Sequence, residues 1–279
     1  MELFNKIRDL AFGKKVGLAL GGGAARGLAH IGVLKVLEEE QIPIDVVAGT
    51  SAGSIIGSLY CSGYCWEEIR DLAHELNWGN LVSFSLPTRG LLNPDKLEKL
   101  LDRLVYEKQF SDLLLPFTAI AVDLLSGEEV HLSRGSVSKA VRASCSIPGV
   151  FSPTTIEDRI LIDGGILNSV PADVAANMGA DFVIGVDLNS DRMQRAELKN
   201  IVDVMFFTFQ VLIKNNIQKG INRADVLIAP DLEGFSYKNM KQLDELLSRG
   251  EKAALEKVEA IKTAIGWRRR ESYVGRSTG

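Results

Sequence analysis

Val46-Val47-Ala48-Gly49-Thr50-Ser51-Ala52-Gly53-Ser54 joins an apolar run to a helix-forming one (Ile55, Ile56, Leu59). Strand, tight turn and helix with G-x-S-x-G on the turn is the setting of a nucleophile elbow. Gly49 and Gly53 flank Ser51 because a chain folded this sharply leaves no room for side chains two residues either side of the serine. A helix that starts at the serine also brings free N–H groups and the positive end of its dipole to any negative charge that forms there. The competing reading is that Ser51 simply caps the helix.

Working outward, Val16-Gly17-Leu18-Ala19-Leu20 predicts a strand that runs into Gly21-Gly22-Gly23-Ala24-Ala25-Arg26-Gly27, and Leu28 to Glu40 a helix. With the strand before Ser51 this makes a parallel crossover unit. Helices are predicted over Trp66–Leu76, from Pro94 to about Val105, Val137–Ser144, Ala172–Met178, Ile201 to about Ile217, and as one long amphipathic element from Asn239 to Ile265. Strands are predicted over Phe117–Val122, Glu129–Leu132, Arg159–Ile162, Phe182–Val186 and Ala224–Ile228, with Trp78–Asn93 a loop and Pro148 and Pro153 holding their segment extended. Alternating strands and helices without a dividing linker give an α/β class: one three-layer domain with a mostly parallel central sheet.

The chain has 279 residues, 46% of them hydrophobic and 24% charged, with a net charge of −4. That suits a globular enzyme and argues against a nucleic-acid partner. Three cysteines, Cys61, Cys65 and Cys145, are too few and too scattered for a disulfide framework or a zinc site. No stretch reaches bilayer length, and charges interrupt the first ten residues where a signal peptide would be apolar. The expected location is the cytoplasm, with peripheral contact at the inner face of the cell membrane. Leu3, Phe4, Ile7, Leu10 and Ala11 at helical spacing could pack on the domain or touch a lipid surface.

A serine that transfers acyl groups needs a base, and none of the three histidines is a comfortable one. His30 follows the glycine loop and reads as a buried supporting residue; His74 lies on a polar helix and His131 on a hairpin. No histidine follows Asp163, which excludes the order Ser, acid, His. Asp163 ends a strand, precedes Gly164 and Gly165, and would face the elbow if its strand joined the parallel set. A buried carboxylate there could take the serine proton, although Asp-Gly is also a common turn pair. The N–H groups of the glycine loop could hold an oxyanion. The loop misses the middle glycine of a dinucleotide fingerprint and lacks its distal acid. Arg26 could bind an anion, orient the loop or form a structural ion pair.

The loop ending in Arg26-Gly27, the elbow, Asp163-Gly164-Gly165 and Arg142-Ala143-Ser144-Cys145-Ser146-Ile147-Pro148-Gly149 occur in an order and spacing that resembles the patatin-like phospholipase family, in its compact bacterial branch. The resemblance covers roughly 15–230. It implies hydrolysis of acyl-lipid esters by a dyad of Ser51 as nucleophile and Asp163 as proton acceptor, without metal or organic cofactor. Gly22, Gly23 and Ala24 would form the oxyanion hole, with Arg26, Gly27, Gly49, Gly53, Gly164 and Gly165 in support. Ala24 stands where the family usually has the third glycine of the loop, though several members of the bacterial branch resemble this sequence here, and a positive φ at that position would strain the loop. The resulting division is an N-terminal amphipathic helix at 1–14, the hydrolase domain at 15–230, and a C-terminal helix and basic tail at 231–279 packing on it. Apolar residues near Leu81–Leu92 and Met205–Phe209 are candidates for an acyl channel. The alternatives are acyl transfer or thioester hydrolysis on the same dyad, and a lipid-binding protein without catalysis.

Overall fold

A computed structural model describes residues 14–75, 95–105, 107–191, 198–237 and 242–266. The expected N-terminal helix, the loop Trp78–Asn93 and the basic tail at Arg268–Arg270 lie outside them. Five strands run parallel: β1 (Val16–Leu20) lies between β2 (Val46–Thr50) and β7 (Phe182–Val186), with β3 (Phe117–Asp123) beyond β2 and β8 (Val226–Ile228) beyond β7. β1, β2 and β7 are buried at every residue, which is why they read as unbroken apolar runs.

The sheet separates two cores. Leu18, Leu20, Val47, Ile184 and Val186 join the larger one, with α1 (Ala29–Glu39) and α2 (Ala52–Cys61). Ala19, Ala48, Ile120 and Val183 point the other way, onto α6 (Ala172–Asn177). Helices α3 (Trp66–Glu75), α4 (Asp95–Leu104) and α5 (Val137–Ser144) and the 21-residue α7 (Ile201–Ile221) complete the layers up to β8. α8 (Leu243–Leu255) crosses α1 so closely that a Cβ on Gly32 would fall 1.9 Å from the Leu247 carbonyl oxygen, and one on Gly250 1.9 Å from that of Ala29.

Three expectations need correction. The C-terminal stretch is two helices, α8 and α9 (Val258–Ile265), rather than one. The Lys257 N–H donates to the Ala254 carbonyl, an i→i−3 bond that tightens and ends α8, while the apolar stripe runs on through Val258, Ile261 and Ile265 and hides the break. A strand missed in the sequence, β5 (Thr154–Ile156), pairs with β6 (Arg159–Asp163) through a turn in which Glu157 takes φ 53° without a glycine to advertise it. Most consequentially, β6 is not one of the parallel strands.

β6 pairs antiparallel with β3, Asp163 opposite Ala121 and Ile162 opposite Val122. β4 (Glu129–Leu132) pairs with those same two residues, and with Ala119 and Ile120, so it occupies the opposite flank of β3. β2 also pairs with Ala119 and Ile120, through Gly49 and Thr50. β2 and β6 therefore share one flank of β3 and run towards each other along it. Thr50 ends one opposite Ile120, and Asp163 ends the other opposite the next residue. Ser51 and Asp163 meet where two strands abut end to end.

Candidate active site

Ser51 stands at φ 51°, ψ −123°, a strained conformation for a residue with a Cβ. The surrounding chain holds it there. The Ser51 N–H donates to Ser144 Oγ at 2.9 Å, its carbonyl accepts from Ser54 N–H at 2.8 Å and Ser54 Oγ at 2.6 Å, and Thr50 Oγ1 donates to the Asn168 carbonyl at 2.8 Å. A Cβ on Gly49 would lie 2.6 Å from the Gly53 carbonyl oxygen, and one on Gly53 2.1 Å from that of Leu20. The turn folds back on itself and against the end of β1, as the flanking glycines imply.

Asp163 is fully buried. Its Oδ1 accepts the Gly165 N–H at 2.8 Å; Oδ2 makes no hydrogen bond. Burial pushes the carboxyl pKa from 3.8 up to about 7, against the opposing pull of the Gly165 N–H and the nearby Ser51 hydroxyl. Cys145 lies in the same pocket, its Sγ 3.8 Å from Ser54 Oγ, and burial first, then the Asp163 charge, pushes its thiol up. A thiol so disfavoured from ionising is inert filling beside the serine.

The glycine loop lies against this pair: a Cβ on Gly22 would sit 3.4 Å from Ser51 Cβ. Its three successive carbonyls are each gripped. Gly21 O accepts from His30 Nε2 at 2.8 Å, Gly22 O from Asn189 Nδ2 at 2.8 Å and Gly23 O from the Arg26 N–H at 3.0 Å. In a trans peptide the N–H points opposite to the C=O, so these grips aim the N–H groups of Gly22, Gly23 and Ala24 the other way. The Gly22 N–H donates to the Ser169 carbonyl at 2.9 Å and is no longer a free oxyanion donor, which corrects that assignment. Among the described residues the N–H groups of Gly23 and Ala24 have no partner. Ala24 does take a positive φ, 48°.

None of the three histidines approaches the dyad through a bond. Burial lowers His30 to about pKa 4, so it is neutral, and because Gly21 O can only accept, Nε2 carries its proton. His74 pairs with Asp244 and His131 with Glu129, both on the surface. Arg26 is wholly engaged: Asp191 at 2.8 and 3.0 Å, Tyr237 Oη at 2.9 Å, the Phe235 and Leu188 carbonyls at 3.1 and 3.3 Å, and the Tyr237 ring 3.9 Å beneath its guanidinium. These contacts pin the loop. No cluster of metal-ligating side chains occurs among the described residues.

Sequence reasoning missed Ser144, Asn168 and Asn189. Asn189 had a signal: polar residues directly after an apolar strand sit at the carboxyl edge of the sheet, where sites form. Ser144 lies in the Arg142–Gly149 segment of the resemblance without its bond to the elbow being foreseen, and Asn168 acts on the elbow's backbone and leaves no pattern of its own.

The fold defines a mostly parallel three-layer α/β domain, and it brings a serine on a strained elbow beside a buried carboxylate. The patatin-like phospholipase family model matches residues 18–176, and the chain belongs to that family. It is 38% identical over 178 residues to an uncharacterized NTE family protein of Mycobacterium tuberculosis, covering 63% of this chain and 49% of that one. It is 35% identical over 198 residues to the human patatin-like phospholipase domain-containing protein 6, covering 67% of this chain and 14% of that one. The matched region is thus about half of the bacterial relative and a small part of the human one. Among solved structures, VipD from Legionella pneumophila shares the fold, with a TM-score of 0.65 at 13% identity over 88% of this chain and 67% of that one.

Proposed function

We propose that this chain hydrolyses acyl esters of lipids through a Ser51–Asp163 dyad and an acyl-enzyme. The observation that carries the reading is the unbonded Oδ2 of buried Asp163 beside the hydroxyl of a serine held in a strained turn. Ser51 Oγ attacks the ester carbonyl as its proton passes to Asp163. The Gly23 and Ala24 N–H groups receive the oxyanion, and the alcohol leaves with the proton from Asp163. Water then attacks the acyl-enzyme, gives its proton to Asp163, and the fatty acid departs as Ser51 is restored. A carboxyl with a pKa near 7 is matched to both halves: ionised enough to accept the proton, acidic enough to return it. Three free cysteines fit a reducing compartment, so a cytoplasmic location belongs to the same proposal.

The test is hydrolysis of a chain-length series, from short nitrophenyl esters to lysophospholipid, by wild type, Ser51→Ala and a variant with all three histidines changed to glutamine. Turnover lost with the serine and retained without the histidines is the expected result. A histidine found essential ends the dyad. A wild type inert on every ester but able to bind lipid ends the hydrolase reading.

A further inference from the structure

The helix that walls the site carries a second apolar face. Phe206, Phe209 and Ile213 on α7 pack against Ile147, Val150 and Phe151, and Ile213 Cδ1 would lie 3.1 Å from a Cβ on Gly165, two residues after Asp163. On the opposite side Ile201, Val204, Thr208, Val211 and Leu212 face outward at helical spacing, while Met205 between the two faces lies against Gly149. Ile201 is 69% exposed and the other apolar members 41–42%.

That face holds no charge. The one charged residue between Ile201 and Ile213, Asp203, is buried and accepts the Lys199 N–H at 2.9 Å; Gln210 is buried as well. Thr208, the only polar side chain in the stripe, donates its hydroxyl to the Val204 carbonyl at 2.8 Å and offers water little. Charges resume at Lys214 and Lys219, which turn to the Asp191 carbonyl and to Glu129.

We propose that this face of α7 seats the protein on a lipid surface, beside the site that draws its substrate from that surface. Three things favour lipid over a protein partner. The stripe offers nothing to steer or orient a charged partner. Four apolar side chains, three of them 41–42% exposed, fall well short of the roughly 20–30 residues a side that a stable dimer uses, whereas an interfacial helix needs only one apolar face to sink to the depth of the acyl boundary. And the helix is continuous with the wall of the proposed active site. The location of the seat rests on the hydrolase reading; the binding itself does not.

The test separates the two. Ser51→Ala, which leaves lipid intact, is sedimented with phosphatidylcholine vesicles, alone and with Val204→Glu and Val211→Glu added. Circular dichroism and a melting curve monitor the fold, and light scattering the mass. The expected result is vesicle binding that falls by about tenfold or more in the charged variant, with both proteins monomeric; Val204→Ser with Val211→Ser should give a smaller loss if the glutamates disturb folding. On the Ser51 background, the charged pair should lower turnover of vesicle lipid far more than turnover of a soluble ester. Equal vesicle binding by parent and variants overturns the proposal. So does a parent that ignores vesicles, or a parent dimer that the substitutions split. A protein that binds through α7 yet cleaves no ester keeps the seat and loses the enzyme.

Discussion

Two charged side chains are equally buried in this molecule, Arg26 and Asp163, and they are treated in opposite ways. The guanidinium of Arg26 is met by a bidentate carboxylate, a hydroxyl, two carbonyls and a ring. Asp163 receives one backbone N–H, and its other oxygen has no partner near it but the Ser51 hydroxyl. A buried charge that is fully paired is part of the scaffold, whereas one left half-paired costs stability that only a function explains. The contrast separates scaffold from chemistry, since Arg26 pins the loop that lies against Ser51.

The sharpest way to break this contrast is to neutralise each charge. Asp163→Asn should lower ester turnover by about 10³-fold or more and yet raise thermal stability at pH 8. The sign follows from the raised carboxyl: the folded state binds a proton between pH 3.8 and about 7 that the unfolded state has lost, so stability falls as pH climbs through that window and the full penalty applies above it. The gain in Asp163→Asn, a few kcal/mol at most, should therefore shrink as the pH approaches 4. In the wild type, the rate should rise with pH through about 7. Arg26→Met should do the reverse, stranding Asp191 and lowering stability by about 3–5 kcal/mol. Melting curves from pH 4 to 8 read both. If Asp163→Asn proves less stable than wild type at pH 8, the half-paired reading of Asp163 is wrong.

A smaller effect probes the third residue, neutral Asn189. Asn189→Ala removes the donor on the Gly22 carbonyl without burying a charge, freeing the peptide that aims the Gly23 N–H. Loss of one oxyanion donor costs about 10²–10³ in kcat, so kcat should drop by roughly that factor with KM little changed and the melting temperature within a few degrees. A parallel rise in KM, or unfolding, would make Asn189 part of the general scaffold instead.

How much of this was legible beforehand differs by element. β1, β2 and β7 announce themselves because strands buried on both faces need apolar residues throughout, and the elbow does so because its geometry admits only small flanking residues. Asp163 was found for a reason that fails: it does not arrive on a parallel strand but on β6, which runs head-on towards β2 along β3. Strand direction is fixed by which edge is free, and that is decided by pairing between residues about 40 to 70 positions apart. Of the grips on the glycine loop, that of His30 is nine positions from Gly21 and was legible as a buried supporting residue, whereas that of Asn189 spans 167 positions and left only its place after an apolar strand as a signal.

Ala24 offers the finest test of where strain is stored around the dyad. Its φ of 48° places an ordinary Cβ in the left-handed region, at a cost of about 1–2 kcal/mol, while glycine would take the same dihedral freely. Glycine also loses more freedom on folding, by roughly 0.5–1 kcal/mol relative to alanine. The two nearly offset, so Ala24→Gly should shift stability upward by no more than about 1 kcal/mol, measured by denaturant midpoint at unchanged slope. If the Ala24 N–H is already aimed at the oxyanion, the substitution should leave kcat within about twofold, because relaxing φ without moving the peptide changes no donor. A gain in kcat of tenfold or more would mean that alanine holds the donor off its line, and that the loop, unlike the elbow, stores strain against the reaction.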